Sequence, residues 1–313
     1  MSPRIPLPRP LDAEPFTTHQ GLAAGLSLNR LRGPDLSAPF HGVRMPARKQ
    51  VDTVRGNGLA IEALCDALQR KLPSDARFCG ITAAVVMGVP LPARLERSRA
   101  LHVAVAPPHR APSGRGVRGH TFTASANDVR LWHGLRISSP ERAWCELAGT
   151  LDLPDLVAAG DYLIQRRLPV TSLDALVDAV AHFPGRRGIR ILQSALPLLH
   201  DRSESRQESR LRVIVVLAGL AGLEVNFPVT TSGGFNYRGD LAFPDNKVFI
   251  EYQSELHRSP EAFRADMTRI SRLEVDGWYV LQVNIRDLDD PTELVQRIRR
   301  LLVLRSRKPS LSL

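Results

Sequence analysis

The clearest pattern of apolar and polar positions lies near the C-terminus. Arg238-Gly239-Asp240-Leu241-Ala242-Phe243 and Val248-Phe249-Ile250-Glu251-Tyr252-Gln253 are two mainly apolar runs. Pro244-Asp245-Asn246 between them is a turn signal, so residues 238–253 are expected to form a β-hairpin. Side chains alternate faces along a strand, which puts Glu251 and Gln253 on one side. Upstream, Ser205-x-x-Glu208 has the form of a capping box for a helix through Ala218. Glu208, Leu211, Val215 and Ala218 fall on one face of that helix. Downstream, Ser259-Pro260-Glu261 opens another helix, with Phe263, Met267 and Ile270 as its expected core stripe. Asp266, Arg269 and Leu273 take the neighbouring face. Trp278 to Val283 reads as a last core strand, and residues 291–304 as a basic amphipathic helix with Arg297, Arg299 and Arg300 outward. The order is helix, strand, strand, strand, helix, strand.

The N-terminal two thirds carry weaker patterns. Residues 1–15 contain five prolines and read as a flexible tail. Thr17 or Thr18 can cap a short helix ended by Gly25, and Ser27 a second helix bearing Asn29, Arg30 and Arg32. His41 to Met45 follows as a short strand. Helix, turn, helix and wing outline a winged helix that presents Arg30 and Arg32 to DNA. Gly33-Pro34 shortens its second helix. The alternative is a small helical cap with solvated arginines. Residues 55–90 are helical, with a stripe of Ala60, Ala63, Leu64, Ala67 and Leu68. Leu101 to Val105 alternates as a strand. Ser139-Pro140-Glu141-Arg142 starts a helix that turns Trp144 and Leu147 inward. Residues 153–165 are a further helix and 168–200 a helical connector. The main boundary is placed near 201, dividing the chain into 1–15, 16–90, 91–200 and 201–313.

Composition adds a partner class. The chain has 313 residues and a formal net charge of +10. Nine arginines between 94 and 142 stand against three acids, with Arg115 and Arg118 in a Gly/Pro/Arg loop. Such an excess points to a polyanion, nucleic acid first. Three scattered cysteines without CxxC spacing suit a reducing cytoplasm and argue against a disulfide framework or zinc site. His109, His120 and His133 match no metal spacing, and no carboxylate adjoins them in sequence. They read as surface or nucleic-acid-facing. The longest apolar run, Val213 to Leu223, is too short to span a bilayer, so no membrane partner is expected.

The candidate chemistry follows from the hairpin. A carboxylate on each strand at one level, Asp240 and Glu251, suits a hard cation such as Mg²⁺ or Mn²⁺. Burying Glu251 after Val248-Phe249-Ile250 calls for a partner or an ion. Glu208 is either a helix cap or a third acid. Gln253 can orient water or donate to a phosphate oxygen. His257 can serve as general acid or base. Asp266 and Arg269 read as a structural pair or as phosphate contacts.

Two resemblances extend this reading. Glu208-Ser209-Arg210-Leu211-Arg212, Gly239-Asp240-Leu241-Ala242, Ile250-Glu251-Tyr252-Gln253, His257, Asp266, Arg269, Leu273 and Gly277-Trp278 resemble the Vsr-like nuclease domain of the domain-of-unknown-function-559 kind. The family usually has Asp-Gly where this chain has Gln253-Ser254. The resemblance implies an α/β restriction-endonuclease-like (PD-(D/E)XK) domain, preceded by winged-helix-like and α+β regions. It implies catalytic Asp240, Glu251, Gln253, His257 and Glu208, with a Mg²⁺ or Mn²⁺ ion on Asp240 and Glu251.

Farther upstream, Ala23-Gly25-Leu26, Leu31-Arg32, Gly42-Val43-Arg44, Gly134-Leu135-Arg136-Ile137 and Ser139-Pro140-Glu141-Arg142-Ala143 resemble the AbiEi-like antitoxin and transcriptional-regulator family. Two functions are therefore expected. One is a Mg²⁺-dependent DNA endonuclease, with RNA as another substrate. The other is a DNA-binding regulator or antitoxin with an inactive nuclease fold and a toxin, repair or defence partner. Arg30, Arg32, Arg115, Arg118 and Arg269 are the expected nucleic-acid contacts.

Overall fold

The computed structural model describes residues 5–46, 57–123, 125–185, 187–253 and 259–306. His257 lies outside them. The chain divides into two units, Met1–Leu151 with Asp174–Leu192, and Asp152–Leu173 with Gln193–Leu313. Among the described residues no helix is long and apolar enough to cross a membrane.

The first unit begins with β1 (Phe16–Thr17) and α1 (Thr18–Ala23). Thr17 and Gln20 form a reciprocal cap, with Thr17 N donating to Gln20 Oε1 at 2.8 Å and Gln20 N to Thr17 Oγ1 at 3.1 Å. Ser27 Oγ accepts from Arg30 N at 3.2 Å, as a cap should. The expected second helix does not follow. Only a single 3₁₀ turn, Arg30–Arg32, forms before Gly33-Pro34. The backbone before a proline is pushed out of the helical region, and Gly33 has ψ 146°. Arg30 is also displaced from its expected place. It is 8% exposed, bonds Asp35 at 3.1 and 2.7 Å, and reaches the Ile5 carbonyl at 2.6 Å. Arg32 is exposed. The strands β2 (Leu36–Ser37) and β3 (Val43–Pro46) complete a small sheet of order β1-β3-β2.

Next come α2 (Asn57–Gln69), β4 (Arg77–Phe78), α3 (Gly80–Val86), α4 (Ala93–Glu96), β5 (Leu101–Val105), β6 (Val117–Thr121), β7 (Val129–Trp132), β8 (Leu135–Ser138) and α5 (Pro140–Leu147). On α2 Ile61, Cys65, Ala67 and Leu68 are buried, so Ala67 and Leu68 of the expected stripe face inward while Ala60, Ala63 and Leu64 are half-buried. The second sheet has the order β6-β5-β4-β8-β7. Ser139 caps α5 by accepting from Arg142 N at 3.2 Å, and Trp144 and Leu147 are buried as expected. All three cysteines are buried and free.

Along the chain follow α6 (Leu153–Ile164), α7 (Leu173–Ala181), α8 (Ile189–Ala195) and α9 (Arg206–Leu217). The boundary expected near 201 falls inside the second unit, because α6 packs on α9. Asp161 on α6 accepts from Ser209 Oγ and Arg212 Nη2, each at 2.7 Å, and from His200 N at 2.7 Å. Two charged groups buried together need such pairing.

The second unit continues with β9 (Glu224–Thr230), β10 (Asn236–Phe243), β11 (Val248–Tyr252), α10 (Pro260–Val275), β12 (Tyr279–Val283), α11 (Ile285–Asp289) and α12 (Pro291–Ser306). This is the helix, strand, strand, strand, helix, strand order of the sequence pattern. The sheet order is β12-β11-β10-β9, with β11 and β12 parallel and the other pairs antiparallel. One face buries Leu241, Phe243, Val248 and Ile250 against Leu211 and Val215 of α9 and Leu294 and Ile298 of α12. The other buries Ala242 and Phe249 with Trp278 and Leu273 of α10. Phe249 and Trp278 stack with ring centres 4.3 Å apart.

Candidate functional site

The turn between β10 and β11 fixes the site. Pro244–Asn246 forms one 3₁₀ turn, and Lys247 takes a left-handed conformation at φ 49°. The hairpin register pairs Leu241 with Ile250, Ala242 with Phe249 and Phe243 with Val248. Continued one step, it sets Asp240 opposite Glu251. Ala242 and Phe249 face α10, so strand alternation turns Glu251 to that side as well. Gly239 just before them is required by packing, because a Cβ there would collide with the Phe249 ring.

Glu251 is 6% exposed and is held by a bidentate ion pair. Arg269 of α10 donates through Nη1 to Oε1 and through Nη2 to Oε2, each at 2.5 Å. Arg269 also bonds Asp266 Oδ1 through Nε at 3.1 Å and Nη2 at 2.7 Å. Two carboxylates hold the guanidinium pKa above its ordinary value.

Asp240 is placed differently. Its Oδ2 accepts from Tyr252 N at 3.1 Å. Its carboxyl pKa is pushed up to about 7, first by burial, then by the neighbouring Glu208 carboxylate, with Glu251 adding to both. Glu208 is raised in turn, also mainly by burial. It serves the helix start, though not as the expected reciprocal box. Glu208 N donates to Ser205 Oγ at 3.2 Å, while the Glu208 carboxylate takes Glu204 N at 3.0 Å, one residue earlier. Glu208 therefore serves the helix start and also stands near Asp240. Gln253 N donates to the Val283 carbonyl at 2.7 Å, which carries the β11–β12 ladder one residue past the strand.

The expected core stripe of α10 is corrected. Phe263 and Met267 are each 57% exposed, Ile270 is half-buried, and Leu273 is the helix's buried residue. The helix is rolled so that Asp266, Arg269 and Leu273 meet the sheet. The Arg269–Glu251 pair and the apolar contact of Leu273 beside Phe249 and Trp278 set that roll together. Sequence periodicity weighs only apolar residues, so it missed a buried ion pair as the facing element.

The histidines also differ from the expectation that no carboxylate accompanies them. His109 Nδ1 lies 3.0 Å from Asp75 Oδ2, and His133 Nδ1 lies 3.2 Å from Glu62 Oε1. His120 Nε2 is 3.0 Å from His102 Nδ1, and burial lowers the pKa of both, that of His102 to about 4. Arg115 and Arg118 are exposed at the β6 edge of the first unit's larger sheet.

The donor set fits a hard dication held by two carboxylates. Among the described residues no three His, Cys, Asp or Glu side chains stand together as an ion cage. The protein would supply Asp240 and Glu251, leaving the other positions to water and phosphate, as Mg²⁺ prefers and a structural zinc does not. A half-buried carboxyl beside two others, as Asp240 is, is the environment a cation relieves. Arg269 meets the same need for Glu251 and must release it for an ion to bind there.

No family model matches the chain. It is similar to the uncharacterized proteins MT2308 and Rv2248, from two strains of Mycobacterium tuberculosis. Each is 32% identical over 169 residues, covering 53% of this chain and 62% of the relative. The chain thus spans less than two thirds of the length of these relatives. Among solved structures, the RV2827C protein of Mycobacterium tuberculosis aligns with TM-score 0.38 and 17% identity, over 64% of this chain and 75% of that one.

Proposed function

We propose that the second unit is a metal-assisted nuclease of restriction-endonuclease-like (PD-(D/E)XK) type, cleaving phosphodiester bonds of DNA. The observation that carries this reading is the placement of Asp240 and Glu251 on adjacent strands at one level. Asp240 is half-buried there, with its pKa raised to about 7. Asp240 and Glu251 would hold Mg²⁺ or Mn²⁺, which when bound lowers the pKa of a water and offsets charge at the phosphate. Arg269, freed from Glu251, would bind a phosphate oxygen with its planar fork. Gln253 would orient water through its amide rather than supply charge. Glu208 keeps the region acidic and favours cation entry. His257 is the proposed general acid or base.

Calorimetry tests the ion directly. Wild type is expected to bind Mn²⁺ and Asp240→Asn to lose that binding. Equal binding by both proteins would overturn the site.

A specific observation also favours a second reading, a cytoplasmic DNA-binding regulator or antitoxin-like protein with an inert nuclease fold. Arg269 occupies both oxygens of Glu251, as an internal cation would. On this reading no divalent ion binds, DNA affinity is unchanged by EDTA, and a toxin or defence partner completes the role. Under both readings nucleic acid is the ligand, engaged at Arg32, Arg115 and Arg118, and on the nuclease reading at Arg269 as well. Arg30 is withdrawn from that set by its burial.

A further inference from the structure

Beside the acidic pair, an open cleft of about 720 Å³ runs between α10 and the outer part of β10. Ala262, Ala265, Arg269 and Arg272 line it from one stripe of the helix, and Tyr237 faces them from the strand. The two alanines leave room at one end. At the other, Arg269 is paired with Glu251 and with Asp266, which also lines the cleft, and Arg272 one helical turn on brings the charge left unpaired among the described residues.

Arg272 differs from Arg269 in its partners. No carboxylate among the described residues pairs with it. Its guanidinium instead lies over the Phe235 ring, 3.6 Å from the centre, and donates through Nη1 to Tyr237 Oη at 3.2 Å. Phe235 is 42% exposed although it is a large apolar ring. An uncompensated planar cation stacked on an exposed aromatic offers two things at once. It attracts phosphate, and it presents flat faces on which an unpaired base can stack. A base inside a duplex is already stacked and cannot use these faces.

We infer that this cleft binds single-stranded nucleic acid, with Arg272 on the backbone and Phe235 and Tyr237 against the bases. This names the substrate class of the proposed nuclease and rests on that reading for the direction in which the strand runs to Asp240 and Glu251. Binding in the cleft is measured apart from cleavage.

The test uses the full chain in EDTA with a thymidine dodecamer carrying one 5-iodouracil, cross-linked by light and mapped to peptides. The expected result is a cross-link at Phe235 or Tyr237. Its yield should fall about fivefold or more in Arg272→Ala and in the packing-conservative Phe235→Leu, and it should be far weaker with the same oligomer in duplex form. Cross-links confined to other segments, equal yield with duplex, or yield unchanged in both variants would overturn the cleft. A mapped cross-link in a protein that cuts nothing with Mg²⁺ or Mn²⁺ would sink the nuclease reading and leave the cleft standing.

Discussion

Asp240 and Glu251 are neighbours with opposite solutions to burial. Glu251 has both oxygens bound by Arg269, whereas Asp240 takes one backbone N–H and keeps its proton to about pH 7. An unfolded aspartate releases that proton near pH 4. Between those values the folded state binds more protons, so this group's contribution to stability falls as pH rises from about 4 to about 7 and is level above. Asp240→Asn is therefore expected to match wild type in urea midpoint near pH 4 and to exceed it at pH 8. A variant less stable than wild type at pH 8 would contradict the assignment. For Glu251, losing the fork leaves a buried carboxylate short of partners. Arg269→Gln should cost about 1–3 kcal/mol, and adding Glu251→Gln should recover much of it, since no lone charge then remains. Purely additive losses in that double-mutant cycle would deny the coupling. Gly239→Ala should also destabilise, by about 1–3 kcal/mol, because the new methyl group meets the Phe249 ring.

Helix α10 shows where local pattern and tertiary packing part. Its start was legible, since Ser259 caps it by accepting from Ala262 N at 3.2 Å. Its facing was not, because the sheet-side contacts are Arg269, Asp266 and Leu273 rather than the apolar Phe263 and Met267. Leu273→Ala should then cost about 2–5 kcal/mol, and Phe263→Ser or Met267→Ser no more than about 0.5 kcal/mol. The reverse ranking in denaturant titrations would restore the apolar stripe. The β10–β11 hairpin was legible in full, because turn residues and alternation both act within a few residues. The second N-terminal helix failed for a local reason as well. Gly33-Pro34 stops the chain after one 3₁₀ turn, and the pull of Asp35 on Arg30 leaves no exposed helix there. Packing of α6 on α9 depends on Asp161 meeting Arg212 across about fifty residues, which no sequence window reports. The His102–His120 pair is likewise a product of sheet register, with Ala104 and His120 paired across β5 and β6. His102 is held neutral to about pH 4, below its ordinary value. Its contribution to stability is whole above about pH 6.5 and is lost as pH falls toward 4. His102→Asn should reduce the acid sensitivity of the first unit, read by near-ultraviolet circular dichroism between pH 7 and 4.

At the scale of the whole molecule, charge and the paired carboxylates make separate demands. The net charge of +10 and the exposed Arg115 and Arg118 predict affinity for nucleic acid that weakens with salt. Arg115→Ala with Arg118→Ala should lower the log–log salt slope by about two units if both meet phosphates. Affinity of that origin does not cut a bond. The central claim is that Asp240 and Glu251 form a cleavage centre, and plasmid nicking tests it most directly. Wild type with Mg²⁺ or Mn²⁺ is expected to nick negatively supercoiled DNA, whose underwinding exposes unpaired bases. Glu251→Ala should abolish nicking while DNA affinity stays within a few-fold, because the arginines supply it. Nicking that persists undiminished in Glu251→Ala, or wild type that binds DNA and never nicks it with either ion, would contradict the account.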